Sequence, residues 1–352
     1  MTSDKRKKLS LKNAIQYLLS LSIAAVFLYI AFRGVDLNKV FGIVSGASFF
    51  WIGVLIVSLL LSHYLRAVRW KIIISSVKKD ASIKNLFGSM MVGYGVSCVV
   101  PRLGELTRAV LMGKWEGLSR TSMFGTVILE RIIDVIFLGL SILISIFIWS
   151  DNIYSNFPWL KTTLYITAFL VAFIFLFLFL VIRYKEKFYS ILTKIIGRFS
   201  LKLAHKSGYI FEMLVQGFLS LKGVKSYFIT ILLSVLIMLN YALSAYLGFY
   251  VLGMQNYGVP VTYTMAWVLM TISAIGVVIP TPGGIGSYEM LSKTTLVLLF
   301  GFGESISLAY AILTHIISTV LFIFTALISF FVLNKQHENL FKVIETTDIE
   351  EL

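Results

Sequence analysis

Acidic residues are scarce in this 352-residue chain: 17 Asp and Glu stand against 31 Lys and Arg, and charged residues of both signs make up 14%. Soluble domains carry about 25% charged residues, so this scarcity excludes an ordinary water-soluble enzyme, a disordered chain and a coiled coil. Cysteine occurs once, at Cys98, which excludes an intramolecular disulfide. The four histidines, His63, His205, His315 and His337, are scattered, and no Cys/His cluster has metal-ligand spacing. No metal and no other cofactor is therefore expected. Proline occurs only five times, yet Pro101, Pro280 and Pro282 fall inside otherwise apolar stretches. Apolar and aromatic residues are abundant at 58%, and a chain so rich in them is an integral membrane protein by composition. Its net charge of +14 then reflects basic loops kept in the cytoplasm, not a nucleic-acid partner.

A bilayer core about 30 Å thick needs roughly 20 apolar residues of helix. Six stretches qualify clearly: 15–32, 49–65, 122–149, 162–182, 228–252 and 304–333. Two more, 85–114 and 262–300, are apolar but broken by Pro and Gly. The expected fold is an all-α polytopic membrane protein with one membrane domain, 15–333, between a basic tail, 1–14, and a second tail, 334–352. The basic and then apolar N-terminus resembles a signal peptide, but its apolar run is too long and lacks a small-x-small site, so an uncleaved span is expected.

Basic residues orient the chain. Lys5, Arg6, Lys7, Lys8 and Lys12 precede the first span, and Arg66, Arg69, Lys71, Lys78, Lys79 and Lys84 follow the second. Nine more lie in 183–225, whereas 151–161 has one and 253–261 none. The positive-inside rule places the basic segments and both termini in the cytoplasm of a cell-membrane protein. A single crossing by each broken segment would put the nine-base stretch outside. Each must therefore enter and leave by one side, or cross twice, the first opening to the cytoplasm and the second to the exterior. Such inverted pairs often form transport pathways. The pseudo-halves, 15–182 and 226–333, are joined by 185–223. There Phe188, Ile191, Leu192, Ile195, Ile196, Phe199 and Leu203 form a helical stripe, flanked by Lys187, Lys194, Arg198, Lys202 and Lys206. That pattern predicts a helix on the cytoplasmic leaflet, or a linker that is basic only for topology.

Three constellations could carry chemistry. In the first, Pro101 and Gly104 break a helix, and Arg102, Glu105 and Arg108 follow at i, i+3 and i+6. A helix start favours an anion, and two guanidinium groups suit a phosphate; the alternative is a topogenic Arg pair neutralised by Glu105. In the second, Pro280, Pro282, Gly283, Gly284 and Gly286 interrupt the chain before Glu289 and Lys293, which at i, i+4 are expected to pair. Irregular backbone at membrane depth persists only where protein or water satisfies it. In the third, Glu130, Arg131 and Asp134 sit on one span. Arg102, Arg108 and Arg131 are the candidate headgroup or phosphate ligands. Glu105, Glu130, Asp134, Glu289 and Lys293 are the candidate ion-pair or gating residues, and an internal neutral ion-pair network is the structural alternative. His63 and His315 have no carboxylate or cysteine at ligand spacing and are expected to be packed or hydrogen-bonded.

At these residues the chain resembles the lysylphosphatidylglycerol synthase transmembrane-region family. That pattern runs Pro-x-x-Gly-Glu-x-x-Arg, then Glu-Arg-x-x-Asp, then Pro-x-Pro-Gly-Gly-x-Gly-x-x-Glu. Here it falls on Pro101, Gly104, Glu105 and Arg108; on Glu130, Arg131 and Asp134; and on Pro280, Pro282, Gly283, Gly284, Gly286 and Glu289. In two-domain members the membrane region is regarded as a lipid flippase and a soluble C-terminal domain transfers the aminoacyl group. Only 334–352 follows the last span here, so the resemblance implies the translocating part without the synthase part. The expectation is a translocator, not an enzyme and not driven by ATP, for an anionic or zwitterionic phospholipid or lipid-linked headgroup. The protein partners considered are a second copy of the chain or a lipid-synthesis enzyme. The rivals are an intramembrane transferase acting on a lipid-linked substrate and a non-catalytic partner of a lipid-synthesis complex. No nucleotide-binding loop or Asp-x-Asp pair speaks for the transferase.

Overall fold

The computed structural model describes residues 11–75, 77–101, 103–149, 183–198 and 223–336, with isolated positions between 162 and 211. Every regular element among the described residues is helical. Among the described residues four helices are long and apolar enough to cross a membrane, or five if one bent pair counts as a span. That pair is α1 (Leu11–Phe32) and α2 (Leu37–Ser45), which meet at 88°. Gly34 supplies a positive φ of 77° at the turn, and Asp36 caps α2 by accepting from the Asn38 and Lys39 N–H groups. The expected first span is thus followed by a helix that hydropathy alone did not separate. The expected fourth span, 162–182, lies largely outside the described residues.

Helix α3 (Phe49–Ile74) corrects one reading of the charges. The span was expected to end at residue 65, with Arg66 and Arg69 in a cytoplasmic loop. Instead the helix continues, and both arginines are buried inside the protein. Ala67, Trp70, Ile73 and Ile74 carry the apolar face onward beside them, so the helix has packing reasons to persist.

Each broken segment is a helical hairpin. The first pairs α4 (Ile83–Val99) with α5 (Leu103–Glu116). Ser82 caps α4, and Val100 is extended at φ −122°, ψ 110° before Pro101. Helix α6 (Arg120–Ile148) follows. The described part of the segment 185–223 includes α7 (Lys185–Gly197), on which Ile191 and Ile195 stay exposed. Phe199, Lys202 and Lys206 lie outside the described residues. Helix α8 (Val224–Val251) runs antiparallel to α3: Ser48 N–H donates to Val251 O, while Arg69, near the other end of α3, reaches Ser234.

The second hairpin pairs α9 (Tyr263–Val278) with α10 (Ser287–Leu298) across a short turn at Pro282–Gly284. Ile279 is extended before Pro280, which ends α9. Gly283, Gly284 and Gly286 take φ of 61°, 82° and 87°, a region that glycine enters without steric cost. Helix α11 (Glu304–Gln336) closes the bundle.

The apolar core has two principal buried clusters, one around each hairpin. Trp70, Met90, Met112 and Met123 join α3, α4, α5 and α6. Phe249, Leu269, Leu296 and Tyr310 join α8, α9, α10 and α11. Helix α6 links the two regions. Its start abuts the base of the first hairpin, where a Cβ on Gly113 would lie 3.2 Å from Arg120 Cα. Its far end meets the base of the second: Trp267 Nε1 donates to Ser141 O at 3.4 Å, and the Trp149 and Phe300 rings lie 5.1 Å apart. The helix has 29 residues, which at 1.5 Å per residue is about 43 Å. The hairpins therefore point toward each other from opposite ends of α6.

Candidate functional site

The arms of the first hairpin touch through backbone. A Cβ on Gly93 would lie 2.7 Å from Gly104 O, and one on Gly104 would collide with Gly93 O. This closeness sets Arg108, one turn beyond Gly104, deep against α3 and α6. Arg108 is 2% exposed, and its guanidinium carbon stands 4.9 Å from the centre of the Trp70 ring. Its Nη2 is 2.8 Å from Glu130 Oε2, an ion pair with poor hydrogen-bond alignment. Its Nε and Nη1 find no hydrogen-bond acceptor among the described residues.

Glu130 is wholly buried and shared. Arg66 Nη2 donates to Glu130 Oε1 at 2.8 Å and to Asp134 Oδ2 at 2.7 Å. Arg69 Nη2 donates to Asp134 Oδ1 at 2.5 Å and to Glu130 Oε1 at 3.3 Å. Toward the rim, Arg131 Nε is 3.0 Å from Glu105 Oε1, and its Nη1 is 3.4 Å from Asp134 Oδ2. Glu130 and Asp134, one turn apart, thus each serve several arginines. Among the described residues the connected cluster holds four guanidinium groups against three carboxylates, a surplus of one positive charge. Arg102 lies outside the described residues.

The second hairpin is organised differently. Its arms also meet at a glycine: a Cβ on Gly276 would lie 2.7 Å from Ser287 O. Glu289 does not pair with Lys293, contrary to the i, i+4 expectation. Its Oε2 accepts from Gly286 N–H at 2.7 Å, and its Oε1 lies 2.5 Å from His315 Nδ1 on α11. Capping its own helix start turns the carboxylate away from Lys293. Lys293 Nζ instead pairs with Glu304 at 2.6 Å and donates to Ala31 O at 3.0 Å, fastening α1 to the hairpin. His315 is hydrogen-bonded as expected, but to a carboxylate from another helix. His63 is packed, its ring 4.9 Å from that of Tyr94 and 5.0 Å from that of Phe322.

Between the hairpins lies a cavity of about 500 Å³. Arg66, Glu105, Arg108 and Arg131 line one side, and Gly283, Tyr288 and His315 line the other. The hairpin tips meet beside it: a Cβ on Gly283 would be 3.7 Å from Cys98 Cα. Pro101, Gly104, Pro280 and Gly284 also border the cavity, whereas Glu130, Asp134, Glu289, Lys293, Pro282 and Gly286 do not line it. The structure thus adds Arg66, Arg69, Tyr241 and His315 to the residues expected from sequence; Tyr241 accepts from Arg66 Nη1 at 3.0 Å. An Arg66–Arg69 pair followed by more apolar helix was the available signal. Among the described residues no group of three or more His, Cys, Asp or Glu side chains is placed to hold a metal.

Comparison with known proteins covers nearly this whole architecture. A model of the lysylphosphatidylglycerol synthase transmembrane region matches residues 17–326. The chain is also similar to a UPF0104 membrane protein of Methanocaldococcus jannaschii, 23% identical over 318 residues, 86% of this chain and 90% of that one. A UPF0104 membrane protein of Methanothermobacter thermautotrophicus is 33% identical over 93 residues, 25% of this chain and 28% of that one.

Proposed function

Because the chain belongs to the lysylphosphatidylglycerol synthase transmembrane-region family, and because a charged cavity lies between its two hairpins, we propose that it translocates a lipid with an anionic or zwitterionic headgroup, without ATP. One observation carries this reading: Arg108 is buried at the cavity wall with two guanidinium nitrogens lacking a hydrogen-bond acceptor among the described residues. Leaving buried donors unsatisfied is costly, and a headgroup phosphate is the acceptor that guanidinium geometry fits best. The surplus positive charge of the surrounding cluster favours an anion. The volume, about 500 Å³, is that of a small-molecule pocket. It suits a headgroup, with acyl chains left in the bilayer.

In this reading Arg108, with Arg102 and Arg131, engages phosphate. Glu105, Glu130 and Asp134 hold the guanidinium groups in place and keep most of their charge balanced while the site is empty of lipid. The protein sits in the cell membrane with both termini in the cytoplasm, its first hairpin open to the cytoplasm and its second to the exterior.

The test is reconstitution. Purified protein in liposomes is expected to move a labelled anionic or zwitterionic phospholipid between leaflets without nucleotide. Arg108→Gln is expected to slow this ten- to a hundredfold, the equivalent of about 1.5–3 kcal/mol for a lost charge-assisted bond. Arg108→Lys keeps the charge but not the planar fork, and is also expected to be slow. If both variants insert normally and move every lipid of a panel at the wild-type rate, the phosphate reading fails. Mass analysis of the same lipid separates this reading from an intramembrane transferase, which would change the lipid's mass, and from a scaffold, which would do neither.

A further inference from the structure

The pair on the second hairpin has no part in holding phosphate, yet its geometry is specific. His315 Nε2 lies 2.9 Å from Gly283 O, and its Nδ1 lies 2.5 Å from Glu289 Oε1. A carbonyl oxygen only accepts, so Nε2 must carry a hydrogen. The Nδ1–Oε1 contact also needs a hydrogen, supplied either by the imidazolium or by the carboxylic acid. The pair as a unit therefore binds one proton beyond the one fixed on Nε2. Removing it would leave a ring lone pair facing a carboxylate oxygen, two acceptors in contact.

We propose that Glu289 and His315 form the site of an exchangeable proton, and that translocation is coupled to loading and emptying it. With the proton bound, the chain Gly286 N–H to Glu289, Glu289 to His315, and His315 to Gly283 O ties both ends of the glycine turn to α11. That turn is the tip resting against Cys98 of the first hairpin. Loss of the proton to water breaks the central link, and the tip is freed to leave the first hairpin and open the cavity. His315 itself lines that cavity, which gives the proton a route.

Among the described residues, Arg66, Glu105, Arg108 and Arg131 line the far side of the cavity that His315 borders. Tyr288, on α10, is 4.9 Å ring to ring from His315, and Tyr310 lies a little over one turn earlier on α11. From α4, Cys98 backs Gly283, and Tyr94 lines the same cavity as His315. Lys293 is occupied by Glu304 and Ala31 O. Helix α1 meets Gly286 through Ala24, Phe27 and Leu28, and α9 carries no charged residue.

Cys98, the only cysteine, reports the tip contact directly. The comparison is between wild type and Glu289→Gln, whose amide can still accept from Gly286 N–H and can donate permanently to Nδ1. In acidic buffer a small neutral maleimide is expected to label both at the same rate. In alkaline buffer wild type is expected to react about tenfold faster, the variant following thiol ionisation alone. Equal rates in both buffers would overturn the proposal. Should the variant misfold, ¹⁵N-histidine spectra of wild type decide: Nδ1 is expected to be protonated or strongly hydrogen-bonded and to titrate once, and an unprotonated, unbonded Nδ1 throughout would overturn it. Coupling rests on the lipid reading and has its own arm. In liposomes with a lipid gradient and an internal pH dye, lipid movement is expected to carry protons. Lipid movement with no proton flux overturns the coupling. If no lipid moves while the labelling difference holds, the translocator reading fails and the proton site stands.

Discussion

The two hairpins share one mechanical plan and differ in their electrostatics. Both are broken by proline, and both press their arms together where a glycine lacks a side chain, Gly93 against Gly104 and Gly276 against Ser287. The first then gathers four arginines around three carboxylates. The second holds its charged groups as two local pairs, Glu289 with His315 and Lys293 with Glu304. The lesson is that one backbone geometry serves two chemistries: a fixed cationic wall suited to holding an anion, and a neutral pair suited to exchanging a proton.

The sharpest way to break this contrast is at Glu130. Glu130→Gln leaves three buried arginines short of a counter-charge, and truncating one partner of a buried ion network costs about 3–5 kcal/mol. Folded yield and detergent melting are expected to collapse. Glu304→Gln, in the other region, removes a carboxylate whose side chain is 53% exposed, and is expected to cost about 0–1 kcal/mol. Equal losses would show that the two regions are not electrostatically distinct.

Glycine substitutions probe what the hairpins share. Gly104→Ala drives a methyl into a backbone oxygen that cannot swing aside, so an overpacking cost of about 1–3 kcal/mol is expected. Gly276→Ala is expected to do the same, measured as the fall in melting temperature of the purified protein. A harmless Gly276→Ala would mean that only the first hairpin depends on arm-to-arm contact.

In the proposed topology the contrast is directional. In a Cys98→Ser background, Lys114→Cys at the base of the first hairpin is expected to react with an impermeant reagent from the cytoplasm only. Tyr257→Cys, in the loop before the second, should react from outside only. Labelling of both from one side would end the inverted arrangement.

The smallest expected effect is at the foot of the first hairpin. Glu116 accepts from Lys78 Nζ, Asn85 Nδ2 and Ser82 N–H. Burial pushes its carboxyl up, but those hydrogen bonds outweigh it and hold the group below the ordinary carboxylate range. A depressed acid stabilises above its unfolded value and stops doing so as pH falls through its folded one. The stabilisation is thus complete at neutral pH and is lost as pH falls below the ordinary carboxylate range. Amide exchange at Asn85 is expected to quicken there in wild type, and to be quick at every pH in Glu116→Gln.

Much of this was legible in the sequence. The proline–glycine breaks located both hairpins, and the charge asymmetry called for their opposition. The buried clusters were legible only in part, because counting charges says nothing of partners. Arg66 and Arg69 read as loop charges, since their carboxylates are supplied by α6. Glu289 and Lys293 have the spacing of a pair, but helix capping and the neighbouring α11 and α1 claim them first. His315 lay beyond any spacing rule, its partner being on a different helix 26 residues away. Helix α2 was marked by Asp36, a capping residue that hydropathy ignores.

The chain order of the arginine cluster bears on how the protein is made. Arg66 and Arg69 leave the ribosome 61 to 68 residues before the carboxylates that hold them. An unpaired arginine in a membrane helix costs up to about 2.5–3.5 kcal/mol on insertion scales, so α3 is expected to settle at its final depth only once those carboxylates have been made. Its second half is then expected to stay at the membrane interface until α6 arrives. A nascent chain arrested before Glu130 should therefore leave a cysteine at Ile73 open to cytoplasmic reagent, and one extended past Asp134 should bury it.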